Sequence, residues 1–209
     1  MAQKTFKEKS FTSIIDNINV QYKRDFLTPE KADKYYQILE NLMKDVSDEN
    51  KRVCVTYGNK QTCEYFTDTK SWDDGNDIVC QILRVMKHLV EQFTGLKFNF
   101  VLINRYPDGY TGMGKHRDKE LCLGDTPTIA GISLGSVRDI QFEPYNSIPQ
   151  EIDKKIVLSL DHGSVYVMHH PTNKYWTHEI LKNTKVNKSR ISLTFRYVYD
   201  VGDEQKTTY

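Results

Sequence analysis

The sequence predicts a mainly β fold with flanking helices, a sandwich or barrel and most specifically a jelly roll. Three observations predict it. From Phe98 onward, short apolar or alternating runs recur at 98–106, 128–134, 138–143, 156–160, 164–169 and 190–199, with the period of two expected of strands. Clusters of Gly, Pro, Asp and Asn separate these runs and mark chain reversals. Upstream, two segments follow a period near 3.6, so the amino-terminal third reads as helical and the remainder as β-rich.

The first helix is announced by Thr28-Pro29-Glu30, which supplies a cap, a first-turn proline and a first-turn carboxylate. Ala32, Tyr35, Tyr36, Leu39, Leu42, Met43 and Val46 then give it one apolar face. A second helix over about 76–94 carries Ile78, Val79, Ile82, Met86, Leu89, Val90 and Phe93 and stops at Gly95, a residue suited to the left-handed turn that ends helices. Both stripes read as core. In the strand beginning at Phe98, alternation places Asn104 and Tyr106 with Phe98, Phe100 and Leu102 on one face. In the strand 190–196, Arg190, Ser192, Thr194 and Arg196 share a face, and Ile191, Leu193 and Phe195 the other.

A chain of 209 residues without internal repeats or a Pro-, Gly- or Ser-rich linker is expected to form one unit over residues 1–209. Hydrophobic residues at 38%, charged residues at 27%, and 13 Tyr with 9 Phe against 6 Pro exclude disordered and collagen-like classes. No window is apolar enough for a membrane span, and charges interrupt the segment where a signal peptide needs its apolar centre. No membrane partner and a nuclear or cytoplasmic location are expected. A net charge of +1 gives no global attraction to nucleic acid, so any such binding rests on a local patch. Cys54, Cys63, Cys80 and Cys122 are irregularly spaced without a CxxC and read as reduced thiols.

Two histidines stand where metal chemistry is possible: His116 in Lys115-His116-Arg117-Asp118, and His178 in Trp176-Thr177-His178. A His-x-Asp pair with a distant second His is the donor set of a 2-His-1-carboxylate Fe(II) site, which leaves three positions open. His169 and His170 are rival ligands. Alone, His-x-Asp is common in solvated turns; the strand faces around it alter that reading. Arg190 and Arg196 lie about 20 Å apart along an extended strand, and their side chains can close on a short diacid, since guanidinium pairs bidentately with carboxylate. Lys182, Lys185 and Lys188 fit either a phosphate track or an ordinary solvated loop.

Taken in order, FNFVLINRYPDG, GKHRDKE, ISLGSVRDIQFE, HGSVYVMHHPTNKYWTHEI and RISLTFR resemble the AlkB family of Fe(II)- and 2-oxoglutarate-dependent dioxygenases, and within it the eukaryotic DNA-repair branch. Weaker similarity runs from about Ile18 to Val198. The resemblance implies a double-stranded β-helix with N-terminal helices and a nucleotide-recognition lid over 50–72. It implies His116, Asp118 and His178 as iron ligands, and Asn104, Tyr106, Arg190, Thr194 and Arg196 as the 2-oxoglutarate contacts, with O2 as second co-substrate. Tyr57, Glu64, Tyr65 and Phe66 fall at the lid, where Phe66 is the best match for base stacking, and Lys119 and Glu120 fall where relatives contact the nucleotide.

The implied activity is oxidative demethylation of N1-methyladenine or N3-methylcytosine in DNA by a monomer, releasing formaldehyde, succinate and CO2. The alternatives are a dioxygenase of the same fold acting on RNA or protein, or a binding module without turnover. The latter would show a broken triad or a missing diacid arginine, and neither is missing. Lys44-Asp45-Val46-Ser47-Asp48-Glu49-Asn50-Lys51-Arg52 lies where duplex-specialised relatives insert an apolar wedge. It is acidic at its centre and has no aromatic residue. Wedges replace base stacking, so a preference for single-stranded substrate is expected.

Overall fold

A computed structural model describes residues 17–45, 51–58, 68–73, 75–145 and 155–199, with the strand backbones at 4–6 and 10–15. The chain opens with three strands, β1 (Lys4–Phe6), β2 (Ser10–Ile15) and β3 (Ile18–Lys23), before α1 (Pro29–Asp45). Next come β4 (Val53–Gly58), β5 (Lys70–Ser71) and α2 (Ile78–Thr94). Eight strands complete it: β6 (Phe100–Tyr106), β7 (Met113–His116), β8 (Ile129–Gly135), β9 (Arg138–Pro144), β10 (Ile156–Leu160), β11 (Ser164–Met168), β12 (Trp176–Ile180) and β13 (Arg190–Arg196), with a short helix α3 (Thr172–Tyr175) before β12.

The last eight strands divide between two sheets, β11-β8-β13-β6 in the larger and β10-β9-β12-β7 in the smaller, all paired antiparallel. This is the predicted jelly roll. The larger sheet is extended by β3 and β2 at one edge and by β4 and β5 at the other, and the smaller by β1. The amino-terminal third is therefore not simply helical. Ile18, Val20 and Tyr22 are buried in alternation with their neighbours, because β3 pairs with β11 and turns every second side chain inward.

The two long helices are bounded by the residues their sequence supplies. Thr28 Oγ1 accepts from the Lys31 N–H at 3.4 Å, Asp77 Oδ1 accepts from the Cys80 N–H at 2.9 Å, and Gly95 closes α2 with φ of 72°. The two helices pack on the outer face of the larger sheet. Leu39 and Met43 of α1 and Leu83, Met86 and Val90 of α2 meet Val101, Ile103, Ile191, Leu193 and Phe195 there. A second cluster fills the space between the sheets, with Tyr106, Ile129, Phe142, Leu158, Met168 and Trp176. Gly131 lets the Tyr166 ring lie flat on the sheet, where a Cβ would stand 2.2 Å from it.

Two expectations need correction. Phe98 lies before β6 and packs in the helix-side cluster against Phe195, ring centroids 6.4 Å apart, because alternation starts only where pairing does. The cysteines are not all thiols: Cys54 and Cys80 are free, but Cys122 is disulfide-bonded. Chain spacing says little about which sulfurs the fold brings together. Cys63 lies outside the described residues, as do Glu64, Tyr65, Phe66 and 46–50.

Candidate active site

The site grows from three neighbouring strands. Cross-strand pairing aligns Tyr106 with Arg190, Asn104 with Ser192 and Leu102 with Thr194, while Ser192 also faces Ser133 of β8. All of these side chains point toward the smaller sheet, since their neighbours Val101, Ile103, Ile191 and Leu193 enter the helix-side core. Asn104, Tyr106, Arg190, Thr194 and Arg196 are thus gathered on one buried face.

Opposite, β7 and β12 pair with His116 directly across from His178, and the chain leaving β7 brings Asp118 between them. The ring centroids are 4.3 Å apart. His116 Nε2 and His178 Nε2 lie 3.5 and 3.8 Å from Asp118 Oδ1, and the three donor atoms fall within 4.8 Å of one another. The Gly114 carbonyl lies 2.8 Å from His116 Nδ1, which places the proton on that nitrogen and leaves the Nε2 lone pair facing the centre. Asp118 Oδ2 accepts from Arg196 Nη2 at 2.6 Å, so Oδ1 is the oxygen left over.

Electrostatics agrees with this division. Burial alone would raise Asp118, but Arg196, His116 and His178 hold its carboxyl far below the usual carboxylate range. Burial pushes His178 down to about 4, so it is a neutral imidazole near pH 7. For His116 burial is outweighed by Asp118 and the Gly114 carbonyl, and its pKa is raised. Two imidazoles and one carboxylate oxygen converging from one side fit a divalent metal with open positions. Asn173 secures the carboxylate's backbone: its Oδ1 accepts from the Asp118 N–H at 3.0 Å and its Nδ2 donates to the Asp118 carbonyl at 2.7 Å.

The arginine face fits an anion. Arg190 donates through Nε to Ser133 Oγ at 2.8 Å and through Nη2 to Ser192 Oγ at 3.4 Å, while its buried Nη1 has no partner among the described residues. Burial pushes its pKa down, as it must for a cation without a carboxylate. Burial also raises the Tyr106 hydroxyl, partly offset by Arg190, Arg52 and Arg138 around it. Arg138 is itself spent on backbone carbonyls of Asp108, Thr111 and Leu181, tying the loop before β7 to the end of β12.

The substrate-side expectations divide. Lys119 is exposed, its Nζ 5.8 Å from the Tyr145 ring centre; Glu120 is half-buried, its Oε2 without a partner among the described residues, and acts on Arg196. Tyr57 is not brought to the site. It stands opposite Val101 on the helix side of the larger sheet, 4% exposed, because one residue of parity reverses the face. Neither His169 nor His170 joins the metal cluster among the described residues. Lys182, Lys185 and Lys188 lie in an exposed loop. Sequence reasoning missed Asn173, Ser133, Arg138 and Arg52. Asn173 sits inside the HPTNKYW stretch, where a polar residue two positions past a proline has no helical or strand pattern to explain it.

A jelly roll with His-x-Asp and a distant His on one sheet, and buried arginines on the facing strand, defines a metal-dependent oxygenase architecture. A model of the 2OG-Fe(II) oxygenase superfamily matches residues 8–196, and the chain belongs to that family; Fe(II) and 2-oxoglutarate are its cofactors, with O2. The AlkB resemblance is borne out by its relatives. It is 40% identical over 120 residues to the human protein described as DNA oxidative demethylase ALKBH2, covering 56% of this chain and 46% of that one. It is 34% identical over 124 residues to human alpha-ketoglutarate-dependent dioxygenase alkB homolog 3, covering 56% and 43%. The chain therefore spans about half the length of these relatives. Among solved structures, a Trichoplax adhaerens prolyl hydroxylase superposes with TM-score 0.60 at 12% identity, covering 91% and 87% of the two chains. OsALKBH1 follows with TM-score 0.57 at 15% identity over 89% and 99%; both speak to the fold. No helix among the described residues is long and apolar enough to cross a membrane.

Proposed function

We propose that the protein is an oxidative demethylase of N-alkylated bases in DNA, N1-methyladenine and N3-methylcytosine foremost. The observation that carries this is the convergence of His116, Asp118 and His178 beside a buried arginine face, in a chain whose relatives are described as DNA demethylases. In this reading His116 Nε2, His178 Nε2 and Asp118 Oδ1 hold Fe(II). Arg190 takes the distal carboxylate of 2-oxoglutarate, with Asn104, Tyr106, Thr194 and Arg196 completing its contacts. When bound, iron with 2-oxoglutarate and O2 supplies the oxidising power that inserts oxygen into an N-methyl C–H bond, giving succinate, CO2 and a hydroxymethyl base that loses formaldehyde.

The protein's own residues bind and orient. Arg196 fixes which Asp118 oxygen faces the metal, and Asn173 fixes the backbone beneath it. Glu120, with a buried oxygen that has no partner among the described residues, suits a cationic methylated ring, and Lys119 suits a phosphate on its flank. Phe66 is assigned to stacking from the family pattern. A paired base cannot reach the triad, so the substrate is single-stranded or flipped, and the acidic segment ahead of Arg52 favours the former.

The test is formaldehyde and succinate release with an N1-methyladenine oligonucleotide, offered free, annealed, and as its RNA equivalent. Faster turnover of free DNA is expected, and none with His116→Ala or Asp118→Ala. Full activity in either variant sinks the metal assignment; a clear duplex or RNA preference overturns the substrate assignment.

A further inference from the structure

Arg52 enters the arginine face through strand register. Val53 stands opposite Arg105 and Cys54 opposite Asn104, so one step back along the chain Arg52 continues the Asn104 side toward Tyr106. Its Nη1 donates to Asn104 Oδ1 at 2.7 Å. It also acts on Tyr106 together with Arg190 and Arg138, and among the described residues no carboxylate pairs with it. Arg52 itself is exposed at the rim, while Asn104 is 3% exposed.

The two ends of an asparagine amide are nearly the same in shape and opposite in function. One accepts, the other donates, and the hydrogen-bond network alone decides which end faces where. A guanidinium has donors only, so it selects the oxygen. Asn104 Nδ2 has no protein partner among the described residues and becomes the end left for a ligand. Were the amide reversed, NH2 would oppose the guanidinium and a carbonyl would oppose the ligand carboxylate, a mismatch at both ends.

We infer that Arg52 is a positioning residue for 2-oxoglutarate, holding the Asn104 amide so that its NH2 rather than its oxygen is presented to the cosubstrate carboxylate. This rests on the assignment of Asn104 as a cosubstrate contact. Arg52 acts through Asn104. Its exposed position means that its replacement removes no core packing.

Calorimetric titration of 2-oxoglutarate into the Mn(II)-loaded protein tests this without turnover. Arg52→Ala should weaken binding about tenfold, the usual range for a hydrogen bond to a charged group, and Asn104→Ala by a similar factor. The double variant should bind no more weakly than Asn104→Ala alone, because both single changes remove the same interaction. Arg52→Lys, which still donates to Oδ1, should recover most of the affinity, and Mn(II) affinity should stay unchanged throughout. An Arg52→Ala affinity within twofold of the parent overturns the inference. So do losses that multiply in the double variant, which would make Arg52 an independent contact, and a loss confined to oligonucleotide binding, which would make it a substrate residue. A parent protein that fails to bind 2-oxoglutarate overturns the cofactor assignment itself, an outcome distinct from all of these.

Discussion

Arg190 and Arg196 stand at opposite ends of β13, on the same face, 1% and 5% exposed, and the protein treats them differently. Arg196 is matched by the Asp118 carboxylate at 2.6 Å, and although burial alone would lower its pKa, that neighbour raises it. Among the described residues Arg190 has no carboxylate partner; it meets two serine hydroxyls and Tyr106, which hydrogen-bonds to its side chain and whose ring centre lies 5.4 Å from its carbon Cζ. A buried cation without an anion is costly, so a fold that keeps one is keeping a binding site. Two further buried arginines mark the limits of the comparison. Arg105, on the helix side, is held bidentately by Glu40 at 3.1 and 2.8 Å, and Arg138 is consumed by carbonyls. Pairing thus separates structural arginines from a receptive one in a way burial cannot.

The largest expected effect comes from breaking the paired end. Arg196→Met leaves Asp118 buried with only the two imidazoles near it, and removing one partner of a buried pair commonly costs about 3–5 kcal/mol. Thermal denaturation of the metal-free protein should show that loss, and turnover should vanish. Arg190→Met is the counterpart. It deletes an unmatched charge, so the metal-free protein should be as stable as the parent or more so, yet 2-oxoglutarate binding should weaken by about 10–100-fold. Arg190→Lys should restore only part of it, a single ammonium lacking the planar fork. Equal destabilisation by both Met variants would erase the distinction between the two ends.

Asn173 sharpens the same contrast at the carboxylate rather than the cation. Asn173→Ala removes both hydrogen bonds to the Asp118 backbone while leaving every donor atom of the triad in place. Supporting residues of this kind commonly contribute about 10–100-fold to metal affinity. Titration with Mn(II) should therefore detect a weaker site in a folded protein; unchanged affinity would mean Arg196 alone is enough to hold Asp118.

Much of this contrast is legible in the amino-acid sequence. Alternation in Arg190–Arg196 sets four polar residues against three core residues, and the fold divides them that way. The triad is legible because two imidazoles and a carboxylate are few in number and fixed in order. Other elements are hidden for physical reasons. β7 reads Met-Gly-Lys-His, too short and polar to show a period, since its positions serve the metal site rather than the core. β3 does alternate, but six residues beside a polar amino terminus are a weak signal. Tyr57 departs from its expected place because a motif fixes position along a strand, and only register tells which face it meets. Arg52 and Asn173 act through side-chain hydrogen bonds between distant segments, and no local pattern encodes those.

The smallest effect concerns Arg105, whose charge Glu40 pairs bidentately, and it separates structural pairing from ligand binding by pH alone. Burial alone would raise Glu40, but hydrogen bonds from Arg105 and Ser189 and the nearby charges of Arg105 and Lys44 hold it below its ordinary value of 4.5. The unfolded chain therefore binds a proton at Glu40 more readily than the folded one, so stability rises with pH across that interval. The contribution is complete above the ordinary carboxylate value and is lost as pH falls through the depressed folded value. Glu40→Gln keeps a hydrogen-bond acceptor but removes the charge, and should cost about 1–3 kcal/mol near neutrality. Melting temperatures of parent and variant, followed from pH 7 into the acid range, should begin to converge below the ordinary carboxylate value and meet once the pH has passed the depressed folded value. Asp118 also loses charge in acid, but it does so in both proteins and cancels in their difference. Because Arg105 faces α1 rather than the site, 2-oxoglutarate affinity should be the same in both proteins at pH 7. A difference in melting temperature that stays constant with pH would show that Glu40 contributes by packing alone.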